Sequence, residues 1–218
     1  MKSVYRERLD TYLELFSAPL SEELEKIRED ALADDVPIIR RDTCDLIRFL
    51  LCMRKPESIL EVGTAVGFSA LFFAEMNPAP CRITTIESYE KRIPIARANF
   101  QASPYAERIE LLEGDAAEIL PTLEGAYDFV FMDAAKGQYI NFYPEVMRLL
   151  APGGLLVSDN VLSGRDVIES RFAIPRRNRT RHERMREYLD TITHDSRLVT
   201  DILPIGDGVS LSFRETDS

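Results

Sequence analysis

The sequence predicts an α/β fold: a mostly parallel, seven-stranded sheet with helices on both faces, an antiparallel last strand and a helical extension ahead of the first strand. Three observations predict it. After Pro56, short apolar runs alternate with amphipathic helical stretches, the pattern of a parallel sheet covered on both sides. The last two runs, 198–203 and 209–213, flank the turn Pro204-Ile205-Gly206-Asp207-Gly208, a hairpin signal that reverses the final strand. Three stretches with helical spacing precede any strand.

In chain order, Val4, Tyr5, Leu9, Tyr12, Leu13 and Phe16 mark a first helix that Pro19 ends. Ser21 caps a second, carrying Leu24, Ile27, Ala31 and Leu32, with Glu22 and Glu23 suited to its first turn. A third runs from about Asp42 to Met53 on Leu46, Ile47, Leu50 and Leu51. These three are expected to pack as a lid or a dimerisation layer. Strands follow at 58–62, 82–87, 108–112, 127–132 and 154–158, with helices at 68–76, 90–101, 115–123 and 138–150 and a polar helix near 178–194.

With 218 residues, 45% of them hydrophobic, the chain suits a single domain with a substantial core. We read residues 1–54 as the helical layer and 55–218 as the α/β core. A net charge of -10 argues against coating nucleic acid or anionic membrane with the whole surface. Three widely spaced cysteines, Cys44, Cys52 and Cys81, read as reduced core thiols, and no apolar run reaches membrane-spanning length. A soluble, cytoplasmic protein is the expectation.

Ligands of open parallel sheets bind at the carboxyl ends of the strands. The first strand runs into Gly63-Thr64-Ala65-Val66-Gly67, where glycine permits positive φ and close approach of a ligand to the backbone. Glu87, after the second strand, is placed to accept from ribose hydroxyls, or is a solvated carboxylate. Asp115 receives an adenine amino group, caps the next helix, or does both. Asp133, Asp159 and Asn160 gather oxygen donors without His or Cys, which suits a hard cation such as magnesium; the bland alternative is an Asx turn at 159–160 and a helix cap at 133. Lys136 is close enough in sequence to face the same site, where a neighbouring cation would lower its pKa and fit it for proton transfer.

Glu61-Val62-Gly63-Thr64-Ala65-Val66-Gly67-Phe68-Ser69, Thr85-Ile86-Glu87, Gly114-Asp115-Ala116, Asp133-Ala134-Ala135-Lys136-Gly137-Gln138-Tyr139 and Ser158-Asp159-Asn160-Val161 resemble the cation-dependent, S-adenosylmethionine-dependent O-methyltransferases of the catechol and caffeoyl-CoA type. The resemblance covers about residues 36–214 and implies a Rossmann-like class I methyltransferase fold. It implies that Ile39, Glu61, Gly63, Gly67, Ser69, Glu87, Asp115, Ala116 and Asp133 surround S-adenosylmethionine. It also implies that Asp133, Asp159 and Asn160 bind Mg2+ and that Lys136 and Asp133 are catalytic, with Lys136 assisting deprotonation. An in-line methyl transfer assisted by such a cation calls for an acceptor with vicinal oxygens.

Residues 165–187 hold eight arginines against four acids, a local charge of +4 that leaves -14 for the rest of the chain. This reads as a phosphate-contacting lip, or as a solvated helix face. The segment, with 203–209 and Val36-Pro37-Ile38-Ile39, is similar to the bacterial branch that methylates 5-hydroxyuridine at the transfer RNA wobble position. That similarity implies a tRNA anticodon loop as partner, giving 5-methoxyuridine. Arg176, Arg177 and Arg179 of the lip are the expected substrate contacts, with Arg40, where Arg40-Arg41 departs from the less basic pattern of that branch. The alternative acceptor is a small catechol-like or caffeoyl-CoA-like molecule. A homodimer is expected. A nicotinamide dehydrogenase fits less well because Gly63 and Gly67 lack GxGxxG spacing, and a non-catalytic RNA-binding module would not need the carboxylates and Lys136 together.

Overall fold

A computed structural model describes residues 8–9, 11–163 and 166–216. Residues 8–9 and 11–14 are helical, while residues 4–7 and 10 of the expected first helix lie outside the described set. Helix α1 (Glu22–Ala33) starts as expected, with Ser21 Oγ accepting from the Leu24 N–H at 3.3 Å and three glutamates in the first turn. Helix α2 (Arg41–Arg54) ends at Lys55, which takes the left-handed conformation.

Seven strands form one sheet: β1 (Ser58–Val62), β2 (Arg82–Glu87), β3 (Ile109–Glu113), β4 (Tyr127–Met132), β5 (Leu150–Ser158), β6 (Leu198–Leu203) and β7 (Val209–Arg214), in the order β3-β2-β1-β4-β5-β7-β6. Pairing is parallel from β3 to β5, and β7 runs antiparallel to both its neighbours. Between them lie α3 (Phe68–Met76), α4 (Ile93–Ala102), α5 (Ala116–Ile119), α6 (Tyr139–Leu149) and α7 (Arg179–His194).

Alternation along the strands separates two apolar layers. Ile59, Phe129, Phe131 and Val157 pack with α1, α2 and α3, whereas Leu60, Val62, Val130, Met132 and Leu156 pack with α6 and α7. Helix α3 lies between the sheet and the two N-terminal helices, which is why Phe68 through Ala74 are all buried. Leu24, Ile27, Ile47 and Leu51 belong to the same core as the sheet, so α1 and α2 are integral to the fold. Their outer side, with the preceding helical residues, leaves Leu13, Leu15, Phe16, Phe49 and Met53 at 50–76% exposure.

Three expectations need correction. Strand β5 begins at Leu150 instead of 154, because Leu150 pairs with Tyr127 before a bulge over Ala151–Gly154 brings Leu155 opposite Phe129. The expected helix 115–123 is a single α turn followed by a 3₁₀ turn at Leu120–Thr122, where Pro121 breaks the pattern. Cys44 and Cys81 are buried thiols, but Cys52 is exposed on α2. No helix among the described residues is long and apolar enough to cross a membrane.

Register places the site. Val62 pairs with Ile86 and with Met132, and Met132 with Ser158, so residues 63, 87, 133 and 159 arrive on one rim. The strand order reverses between β1 and β4, the crevice where open α/β sheets hold ligands.

Candidate active site

A cleft of about 670 Å³ opens on that rim, lined among others by Ile39, Gly63, Ser69, Glu87, Asp115, Ala116, Asp133, Lys136 and Asn160. Its floor is the turn after β1. Gly63 sits at φ +108, with its N–H and that of Thr64 both donating to Ile86 O. A Cβ at Gly63 would lie 2.1 Å from Asp133 O, so only glycine lets β1 and β4 end side by side. Gly67, at φ +87, packs against Phe100 and lies behind the cleft wall.

Glu87 closes this turn from β2. One carboxylate oxygen accepts from the Ala65 N–H at 2.7 Å; the other accepts from Ser88 and Tyr89 at 2.9 and 2.7 Å. Three backbone donors fix the carboxylate and leave lone-pair capacity toward the cleft. Asp115 caps α5, accepting from the Ala117 N–H at 2.9 Å, and also lines the cleft.

Glu61 lies beneath the cleft, fully buried. Thr85 Oγ1 donates to Oε2, while Oε1 is buried without a well-formed hydrogen bond among the described residues, although the Ser69 hydroxyl is near enough to lower its pKa. Burial dominates and pushes the Glu61 carboxyl up to about 7 from 4.5. A carboxyl raised on folding makes the native state hold the extra proton, so its contribution is best below pH 4.5 and is lost as pH rises to about 7. Glu61→Gln is therefore expected to melt several degrees higher relative to wild type at pH 8 than at pH 4.5, an effect on the order of 3 kcal/mol. Thermal melts of the apo protein across that range check it; a constant difference contradicts the assignment.

The second feature is a pair of carboxylates on adjacent strand ends. Asp159 is 3% exposed, accepts from the Asn160 N–H at 2.7 Å, and is pushed up to about 7 by burial and then by Asp133. Asp133 is also raised by burial, against the lowering effects of the Asn160 amide, which donates to Oδ1 at 2.8 Å, and of Lys136. Asn160 adopts φ 62, a conformation asparagine tolerates, which turns its amide toward Asp133. Lys136 is lowered by burial, opposed first by Asp207 and then by Asp133.

These residues fit the two groups that the sequence implies. Gly63 brings bare backbone to the cleft at a positive φ, and the unsatisfied Glu61 oxygen beneath it suits a cationic amine. Asp133, Asp159 and Asn160 are hard oxygen donors, two of them carboxylates whose mutual repulsion a divalent cation would relieve. Among the described residues no group of three or more His, Cys, Asp and Glu side chains could hold a metal; two carboxylates and an amide are a donor set that Mg2+, which keeps several waters, accepts.

Other expectations fall elsewhere. Arg176, Arg177 and Arg179 do not line the cleft: the first two are exposed in a 3₁₀ turn, and Arg179 Nε donates to Ile174 O at 3.1 Å. Arg40 faces a separate, apolar cavity of about 930 Å³ between α1, α2 and the β6–β7 turn, which shares only the Ile38–Ile39 wall with the cleft. Helix α7 nonetheless touches the site from behind, where Arg184 Nη1 donates to Gly137 O at 3.2 Å. Sequence reasoning missed Arg92, Gln138, Phe142 and Asp207 as lining residues. For Asp207 a signal existed: the hairpin turn that holds it precedes β7, which pairs with β5 and so brings the turn back to Asp159.

The reversed β7 sets this sheet apart from all-parallel dinucleotide-binding folds, and with the β1 glycine cradle it defines a Rossmann-like methyltransferase. The chain belongs to the O-methyltransferase family, whose profile matches residues 14–215. It is similar to caffeoyl-CoA O-methyltransferase 5 of Nicotiana tabacum, with 32% identity over 80% of this chain and 76% of that one. It is also similar to a catechol O-methyltransferase of Mycobacterium tuberculosis, 36% identical over half of each chain. Among solved structures, an SAH-bound methyltransferase of Podospora anserina superposes with a TM-score of 0.87 at 26% identity, over 100% of this chain and 97% of its own. The protein is an S-adenosylmethionine-dependent O-methyltransferase.

Proposed function

We propose that the protein methylates one of two adjacent oxygens on a small catechol-like or caffeoyl-CoA-like acceptor, with Mg2+ at Asp133, Asp159 and Asn160. The observation that carries this reading is the buried, mutually repelling Asp133–Asp159 pair beside the glycine cradle. The similarity to enzymes named for caffeoyl-CoA and catechol supports the acceptor class.

In this reading Gly63, Ser69, Glu87, Asp115, Ala116 and Ile39 enclose the cofactor, with Glu61 and Gly67 shaping the floor from behind. Bound S-adenosylmethionine supplies a methyl carbon on a sulfonium, open to in-line displacement. Bound magnesium supplies positive charge that acidifies a hydroxyl and favours paired oxygens. Lys136 Nζ, whose burial favours the neutral amine, takes the proton of the acceptor hydroxyl, with the charges of Asp207 and Asp133 drawing it to the site. Ile39 and Phe142 line the cleft with apolar surface and limit water there.

One observation favours a second acceptor, the wobble 5-hydroxyuridine of transfer RNA. Phe172, 89% exposed, stands among the exposed Arg171, Arg176 and Arg177, a combination that suits stacking of bases and contact with phosphates. The two acceptors separate in one assay: protein, labelled S-adenosylmethionine and Mg2+ are incubated with catechol or caffeoyl-CoA, and in parallel with bulk tRNA lacking methoxyuridine. Label is expected on the small acceptors. Label on tRNA alone would transfer the proposal to the second reading.

A further inference from the structure

The carboxyl ends of β4 and β5 are joined by one buried hydroxyl. Tyr139, the first residue of α6, has no exposed surface, and its OH lies 3.1 Å from Met132 O and 3.0 Å from Asp159 O. A phenol carries one proton, so that proton is shared between the two carbonyls. The Asp159 N–H also donates to Met132 O at 3.0 Å, so three groups converge on the gap between the strands. Met132 directly precedes Asp133, and Asp159 is the other carboxylate of the site. The contacts are to main chain at both places, so the phenol fixes where each carboxylate leaves its strand.

The ring itself has little freedom. It meets Tyr188 edge-on, with centroids 5.4 Å apart and planes at 86°, and Tyr188 meets Tyr143 in the same way at 6.1 Å. Tyr188 offers an internal contrast. Its hydroxyl is equally buried, yet it bonds to the Ser158 side chain at 2.6 Å, and the hydrogen bonds to Met132 O and Asp159 O are those of Tyr139.

We infer that Tyr139 is a positioning residue that sets the spacing of Asp133 and Asp159, and through it the magnesium affinity of the site, by bridging the backbones of β4 and β5. This rests on the magnesium reading above. Magnesium demands near-ideal octahedral geometry, so a small relaxation of the two strand ends weakens its binding, whereas the hydrogen bonds of the Tyr139 hydroxyl to Met132 O and Asp159 O do not reach the turn after β1. Loss of a supporting contact of this kind typically weakens metal binding about 10- to 100-fold.

The test compares Tyr139→Phe, Tyr188→Phe and Asp159→Asn by calorimetric titration of Mg2+ into the full chain saturated with SAH, with melting temperature and SAH affinity measured on each. Tyr139→Phe keeps the ring and its packing and is expected to bind Mg2+ about tenfold or more weakly, with SAH affinity within about twofold of wild type. Tyr188→Phe is expected to lose comparable thermal stability and keep wild-type Mg2+ affinity. Wild-type Mg2+ affinity in Tyr139→Phe overturns the inference, as does equal weakening in Tyr188→Phe, which would mean general softening of the core. Asp159→Asn keeps the two failures apart: undiminished Mg2+ binding there overturns the metal site itself, whereas its loss alongside normal binding in Tyr139→Phe overturns only the role of Tyr139.

Discussion

Asp159→Asn is expected to cut methyl transfer about a thousand-fold, or about 4 kcal/mol in the barrier, while the apo protein melts at a higher temperature than wild type. Both effects follow from the same cause. Asp159 is nearly fully buried beside Asp133, and burial and that neighbour push its carboxyl up to about 7 from 3.8. At pH 8 the ionised carboxylate therefore burdens the apo fold, and a neutral isostere relieves it. Asparagine keeps an oxygen to accept the Asn160 N–H, so the local turn survives. With S-adenosylmethionine and Mg2+ present, however, the site has lost one of its two anionic donors. Steady-state rates with a catechol acceptor and a melt at pH 8 read both quantities. Near wild-type turnover, or a large drop in melting temperature, would contradict the account.

Gly63→Ala is expected to be the most damaging added methyl group among the described glycines. At φ +108 an L side chain is strained, and the added carbon would lie 2.1 Å from the Asp133 carbonyl oxygen, a backbone atom that cannot swing away. Either the turn after β1 or the end of β4 must move. The cost is on the order of 3 kcal/mol, a drop of roughly 10 °C for a domain of this size. SAH affinity should fall at least about 100-fold, because the displaced backbone belongs to the floor of the cleft. A melting temperature within about 2 °C of wild type, together with unchanged SAH affinity, would show that the close approach of β1 and β4 is not needed.

Much of this geometry was legible in the sequence. Strands 58–62, 82–87 and 127–132 were readable to the residue because each is a short apolar run ended by a carboxylate or glycine, and parallel register then put their last residues on one rim. The carboxyl-end rule did the rest, since it turned five separate strand endings into one list of candidate side chains. What failed had local causes. The bulge at Ala151–Gly154 has no periodicity to read, and Pro121 shortens a helix whose apolar spacing continues past it. The arginine-rich segment was legible as charge but not as position. Its location depends on how the 3₁₀ turns at Arg171–Ala173 and Arg176–Asn178 fold back on α7, and no spacing rule reports that. Glu61 and Asp159 were singled out by their places at strand ends, yet only the structure places both beneath the cleft surface, where burial gives each its raised carboxyl.

The central claim is that paired carboxylates at the ends of β4 and β5 make methyl transfer depend on a divalent cation. Its most direct test is the initial rate of methyl transfer to a catechol acceptor, with protein first stripped by chelator and Mg2+ then titrated back. The account predicts negligible transfer in excess chelator and a saturable return of activity with Mg2+. Full activity in excess chelator would contradict it.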